Sequence, residues 1–398
     1  MPLNISDRGR LMPPSPIRKL APYADAAKKK GVHVYHLNIG QPDIETPPEM
    51  RDRLKLLQDK VYAYTPSGGT HEYIQSLCRY YKKLGLDLSA GQILATTGGS
   101  EAILFALMAC CNPDDEAIVV EPFYTNYRSF AMMAGVKLVP ILSKGEDGFH
   151  LPDRSSFENA RTSRTRMVIL CNPNNPTGTV YGHEELSMVA QFCKDHGLYL
   201  LADEVYREFV YDDKKVISTL SLPGYEQHVI VVDSMSKRYS ASGIRLGCLV
   251  TRNEEVFSSC MRMAQGRLSP PGLAQFIAIG ADNISQNYTN KVVAEYQNRR
   301  DILFQGLRDI PGVFLRKPEG AFYFIARLPV LDSDHFASWL LSEFEYKHET
   351  VMVAPADGFY VTPGLGKNEV RIAYVLNEDD LRNSVDILSK ALQTYSRK

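Results

Sequence analysis

Five short segments of this chain carry side chains that could do chemistry, and each directly follows an apolar run. Lys237 lies in Ser234-Met-Ser-Lys-Arg-Tyr239, just after Val229 to Val232, with Arg245 eight positions further on. A lysine amine is strongly hydrated and normally belongs on the surface. Framed by small hydroxyl residues behind a buried-type strand, it can instead serve as a Schiff-base nucleophile. Asp203, in Asp-Glu-Val-Tyr206, follows Leu198 to Ala202. Its carboxylate could cap a helix or partner a heterocyclic nitrogen, and the Tyr206 hydroxyl could reach an oxygen in the same pocket. Asn172-Pro-Asn-Asn-Pro-Thr-Gly178 follows Met167 to Cys171 and fixes several side-chain amides in a stiff loop, where a plain turn would need one Pro or an Asn-Gly. Glu121-Pro-Phe-Tyr124 follows Ala117 to Val120, and its aromatics suit either a planar ligand or a core. Gly98-Gly99-Ser100 opens a helix, where outward N–H groups suit a phosphate dianion or simply make a tight turn. The Gly-x-Gly-x-x-Gly dinucleotide pattern is absent.

Carboxyl ends of strands are where open α/β sheets bind ligands, and all five segments fall there. A phosphorylated aromatic aldehyde needs these groups together. The lysine holds the aldehyde, and the carboxylate keeps the pyridine nitrogen protonated. The amide and tyrosine hydroxyl steer the ring oxygen, the aromatic holds the ring plane, and the helix terminus takes the phosphate.

The elements that must position these residues are legible as alternating patterns. Apolar runs at 93–96, 117–120, 137–142, 167–171, 198–202, 229–232 and 246–250 read as buried strands. Helical stretches lie between several of them, at 101–111 and 184–196, so the class is α/β with a mostly parallel seven-stranded sheet. Long amphipathic patterns follow at 253–266 and 273–307, and Pro311-Gly312 then breaks the chain. Strands at 322–325, 351–354 and 370–374 with helices at 335–344 and 378–395 predict a smaller α+β domain. The expected division is a large domain over 46–308 and a small one built from both termini, 1–45 and 309–398, with the proline-rich start crossing onto the latter.

With 398 residues the chain exceeds one comfortable core. A hydrophobic fraction of 44%, a charged fraction of 23% and a net charge of −1 are those of an ordinary globular protein, and no basic tract suggests nucleic acid. Lys28 to Lys30 read as the end of a solvated helix. Seven cysteines, with Cys110 and Cys111 adjacent, match neither a disulfide framework nor metal spacing, which predicts reduced thiols in a cytoplasmic protein and no metal site. The first ten residues hold no signal-peptide core, and the longest apolar stretch, 102–111, is far short of a membrane span.

With these motifs and their order, the chain resembles the class I/II (fold-type I) pyridoxal-phosphate aminotransferases, in particular the aspartate aminotransferase-like branch. The match runs from Leu37-Asn-Ile-Gly-Gln-Pro-Asp43 to Val370-Arg371-Ile-Ala-Tyr374. The resemblance implies that Lys237 carries the Schiff base and shuttles the proton. It implies that Asp203 pairs with the pyridine nitrogen, Tyr206 and Asn175 bond the phenolic oxygen, and Tyr124 stacks on the ring. Gly99, Ser100 and Glu101 would offer backbone or side-chain donors to the phosphate, and Ser234, Ser236 and Arg245 would complete that cup. Tyr64 would reach the phosphate of a neighbouring subunit, which implies a homodimer with shared sites. Gly40 and Arg371, with Tyr124 and Asn175, would bind the substrate, a guanidinium meeting a carboxylate through two parallel hydrogen bonds. The function implied is ping-pong transfer of an amino group from an L-amino acid, aspartate or glutamate favoured, to a 2-oxo acid. An aromatic or broad-specificity aminotransferase, or a carbon–sulfur lyase on the same fold, is the alternative. Ser100 stands where one subgroup carries a lysine for the distal carboxylate, and no second arginine for that role is identified from sequence.

Overall fold

The computed structural model describes residues 3–395. Among these residues thirteen strands form three sheets. In chain order they are β1 (His33–His36), β2 (Ile93–Thr96), β3 (Glu116–Glu121), β4 (Lys137–Leu142), β5 (Thr165–Cys171), β6 (Tyr199–Asp203), β7 (Val229–Ser234), β8 (Gly247–Thr251), β9 (Phe314–Leu315), β10 (Tyr323–Arg327), β11 (Glu349–Met352), β12 (Ala354–Pro355) and β13 (Glu369–Ala373). The largest sheet has the order β2-β8-β7-β6-β5-β3-β4. It is parallel from β4 to β7, and β8 runs antiparallel to both β7 and β2. The α/β class and the mostly parallel seven-stranded sheet are as the sequence pattern predicts.

The strands read as unbroken apolar runs because both faces of the sheet are covered. Leu94, Val119, Ile169, Leu201, Ile230 and Leu249 enter one hydrophobic core. Their chain neighbours Ile93, Val120, Val168, Leu200, Val231 and Val250 enter a second core on the opposite face. A period-2 backbone splits each strand between the two layers.

Parallel pairing also decides where the chemistry goes. Cys171 is opposite Asp203, and Asp203 is opposite Val232, so the ends of β5, β6 and β7 lie along one edge. β2 points the same way as β7, because each is antiparallel to β8; Gly247 faces both Thr96 and Ser234. The Gly98 turn therefore emerges at that same edge.

Residues near both termini build the remaining sheets. β1 pairs in parallel with β11, and β10 and β13 form the centre of an antiparallel sheet with β9 and β12. β1 and β9 were not foreseen from sequence; β1 is His-Val-Tyr-His, with no apolar run, and β9 is only two residues long. The expected helix over 273–307 is broken. Helices at Gly272–Ala278 and Gln286–Arg308 flank a 3-10 turn at Ile279–Asn283. Gly280 lies flat against the Glu49–Met50 backbone, where a Cβ would come within 2.2 Å of the Glu49 carbonyl oxygen. A close backbone contact thus interrupts what periodicity alone would continue.

All seven cysteines are free. Among the described residues no helix is long and apolar enough to cross a membrane.

Candidate active site

One cavity of about 610 Å³ opens along the carboxyl edge of the large sheet. Lys237, Asp203, Tyr206, Asn175, Tyr124, Gly99, Ser100, Ser234, Ser236, Arg245, Gly40 and Arg371 all line it. Gly40 and Arg371, 331 positions apart in sequence, meet there.

Asp203 ends β6 inside the sheet, 5% exposed. Its Oδ2 accepts from the Tyr127 hydroxyl at 2.7 Å and its Oδ1 from the Val205 N–H at 3.3 Å. Burial without a cation partner pushes its pKa up to about 6. A buried carboxylate held by neutral donors at a cavity wall is a place for a ligand that brings positive charge, such as a protonated ring nitrogen.

Lys237 stands on a short helix, Met235–Arg238, directly after β7. The Ser234 hydroxyl caps that helix by accepting from the Ser236 N–H at 3.2 Å. Half-buried, Lys237 donates from Nζ to the Gly40 carbonyl at 2.7 Å, and Nζ sits 5.7 Å from the centre of the Tyr206 ring. Gly40 is required by contact. A Cβ there would fall 1.7 Å from the Tyr323 hydroxyl, which itself approaches the Gly40 carbonyl at 3.4 Å.

At the other end of the cavity, the helix Gly98–Cys110 begins with no side-chain cap, so its first N–H groups are available. Arg245 is in the left-handed region, with φ of 54°, and its guanidinium lies so close to Gly98 that a Cβ would come within 2.5 Å of Nη2. The Ser234 and Ser236 hydroxyls are 2.7 Å apart beside it. Amides, two hydroxyls and a guanidinium around one helix start form a donor set that fits a phosphate.

Arg371 is the largest anomaly. It sits on β13, 2% exposed, donating to the Asn38 carbonyl at 2.6 Å and to Asn175 Oδ1 at 3.1 Å. Its Nε has no partner among the described residues, and Tyr323 and Phe359 cover the guanidinium with ring centres at 4.4 and 5.1 Å. No carboxylate is among these partners, and burial lowers its pKa. Asn175 completes the link by donating to the Tyr206 hydroxyl at 3.4 Å, which in turn pairs with the Tyr323 hydroxyl at 3.0 Å. Burial pushes the Tyr206 phenol well above its usual range and Tyr124 up to about 12, so both hydroxyls stay protonated as donors.

Two expected residues, Glu101 and Tyr64, do not line this cavity. The Glu101 side chain is no phosphate donor. Its Oε2 accepts from the Thr97 N–H at 2.8 Å and its Oε1 pairs with Arg267 Nε at 3.3 Å, because a carboxylate can only accept and the free amides of its own helix start attract it. Tyr64 is 81% exposed and lies outside the cavity of its own chain. Conversely, Tyr127, Tyr323 and Asn38 were not foreseen. Tyr127 lies one helical step beyond Tyr124, a weak signal; nothing local marks Tyr323, and Asn38 stood in the Leu37 to Asp43 motif without a role.

The family model for aminotransferases of class I and II matches residues 32–388. An aspartate aminotransferase of Pinus pinaster is 31% identical over 406 aligned positions, covering 98% of this chain and 81% of that protein. The aromatic-amino-acid aminotransferase 2 of Thermococcus litoralis is also 31% identical, covering 98% of each chain. The solved aspartate aminotransferase of Thermus thermophilus with maleate superposes with a TM-score of 0.89 at 27% identity, over 98% of this chain and all of that one. This chain belongs to the class I and II aminotransferases, which use pyridoxal phosphate, and it is a transaminase. Its similarity is to the aspartate aminotransferase-like enzymes among them.

Proposed function

We propose that this transaminase moves the amino group of an L-amino acid, with aspartate and glutamate as favoured donors, to a 2-oxo acid by a ping-pong mechanism. The observation that carries the substrate reading is Arg371: a buried guanidinium without an anion, in one cavity with Lys237 and Asp203. An α-carboxylate would neutralise it and take up its unpartnered Nε.

When bound, pyridoxal phosphate supplies an aldehyde and a ring that withdraws electrons from the substrate α-carbon. The Gly99 and Ser100 amides, with Ser234, Ser236 and Arg245, would hold its phosphate. Asp203 would pair with the ring nitrogen and keep it protonated, and Tyr127 holds the carboxylate in place. Asn175 and Tyr206 would bond the phenolic oxygen, and Tyr124 would hold the ring plane. Lys237 Nζ would hold the aldehyde, and as a free amine beside the substrate it would carry the proton at the α-carbon. Tyr64, so exposed in one chain, serves the phosphate site of a second copy, in a cytoplasmic homodimer with shared sites. With the chain divided at residues 46 and 308, Gly40 and Arg371 would both belong to the unit built from the two ends of the chain.

The maleate in the Thermus thermophilus structure, a dicarboxylate, supports the acidic-donor reading. The Thermococcus litoralis relative supports aromatic donors as the second reading. A donor-by-acceptor screen on purified holoenzyme decides between them. Activity with aspartate or glutamate and 2-oxoglutarate or oxaloacetate is the expected result. Turnover of aromatic or aliphatic donors alone would discard the acidic preference.

A further inference from the structure

We propose that Arg18 selects acidic substrates by binding the side-chain carboxylate of a dicarboxylic amino acid whose α-carboxylate lies on Arg371, an assignment that rests on the reading of Arg371 above. Four cations line the cavity, Arg18, Lys237, Arg245 and Arg371, against a single carboxylate, Asp203. Three of the four have work there. Lys237 is held on the Gly40 carbonyl, Arg245 donates to the Ser242 carbonyl at 2.9 Å beside the helix start, and Arg371 is buried between Asn38 and Asn175. Arg18 is different: its guanidinium is exposed and has no hydrogen-bond or ion-pair partner among the described residues.

The backbone that carries Arg18 is nevertheless fixed on both sides. The Ile17 carbonyl accepts from Asn38 Nδ2 at 3.0 Å, and the Asn38 carbonyl accepts from Arg371 Nη2 at 2.6 Å. Two hydrogen bonds therefore tie the Arg18 segment to the α-carboxylate residue itself. On the other flank Lys19 pairs with Asp334 and, at 3.5 Å, with Asp357. Pro16 packs so tightly on Gly358 that a Cβ there would come within 2.6 Å of its ring. The Arg18 N–H is used in a turn, donating to the Ser15 carbonyl at 3.1 Å. An anchored strap thus presents one free, permanently charged fork to the cavity. Its neighbours along the cavity wall, Ser15, Ile17, Ile39 and Gln41, are uncharged and leave it unneutralised. Ser100 supplies no cation, so Arg18 is the group in this cavity with the charge and freedom to meet a second carboxylate.

The test uses holoenzyme, calorimetric titration and a matched pair of non-reacting acids, succinate with two carboxylates and butyrate with one. Wild type should prefer succinate. Arg18→Gln should lower that preference by roughly tenfold to a hundredfold, the worth of a charge-assisted fork, and Arg18→Lys should keep part of it. The ratio of kcat/KM for glutamate to that for alanine should fall by a similar factor. A succinate preference unchanged in Arg18→Gln, its absence in wild type, or an equal loss for both acids would each overturn the assignment, the last by showing that Arg18 only holds the strap. Failure of the Arg371 reading is separately visible, because Arg371→Lys would then leave both acids bound as in wild type.

Discussion

Two groups of buried charges lie on either side of the short helix that carries Lys237, and they are handled in opposite ways. Behind it, Arg207 and Glu204 form an ion pair at 2.6 Å, with Glu204 fully buried. Glu204 also accepts from the Thr219 N–H at 2.8 Å and the Ser218 hydroxyl at 3.1 Å. Asp233 takes Arg238 and, at 3.6 Å, Arg207, while Arg238 reaches Glu208 at 3.5 Å. Every charge there has a counter-charge. In front of the helix, Asp203 and Arg371 are as deeply buried and have only neutral partners. Isolated buried charge is expensive, and the same fold shows that it can supply partners where only its own stability is involved. The front pair is thus a ligand site by its electrostatics, independent of any motif.

The largest expected effect is at the residue between the two groups. Lys237→Ala should lose at least about ten-thousandfold in transamination and the visible chromophore with it, while the fold survives. Borohydride reduction followed by peptide mapping should place the pyridoxyl group on Lys237; finding it on another lysine would reject the assignment.

Asp203→Asn keeps the shape and removes the charge, so cofactor should still bind while kcat falls roughly a thousandfold, about 4 kcal/mol. The same variant probes the comparison directly in cofactor-free protein. The folded pKa of Asp203, about 6, is above its ordinary 3.8. Its contribution to stability is therefore fully present below about pH 4 and lost as pH rises towards 6. The variant should match wild type at pH 4 and exceed it at pH 8 by a few kcal/mol in denaturant titrations, a gain that a paired carboxylate would not give.

Arginine replacements break the comparison most sharply. Arg207→Met strands Glu204 and should cost about 3–5 kcal/mol of stability. Arg371→Met removes a charge that has no counter-charge, so stability should change by less than about 1 kcal/mol while kcat/KM falls roughly a hundredfold for every donor alike. Equal destabilisation by the two would mean that Arg371 is structural. The smallest effect is expected for Tyr323→Phe, which removes one hydroxyl from the Tyr206 pair and should lower kcat by roughly tenfold.

The large sheet was legible because strands covered on both faces must be apolar throughout, and five polar segments placed directly after such strands had one geometric meaning. Lys237, Asp203, Asn175 and Tyr206 were visible for that reason. Tyr127 and Tyr323 were not, since a tyrosine that supports a carboxylate or a second phenol resembles any core aromatic until the fold brings them within 3 Å. The Glu101 side chain was misplaced because position beside a phosphate turn does not say which way a carboxylate will face. Arg18 lay in a proline-rich start with no periodicity to read.

Local sequence alone determined the strands of the large sheet, the α/β class and the chemical inventory at the strand ends, because propensity and burial period act over a few residues. Tertiary structure alone decided which charges were left without partners. Pairing of Glu204 with Arg207 and isolation of Arg371, 164 positions beyond, depend on distances across the sheet and between its ends, and no short-range pattern encodes them.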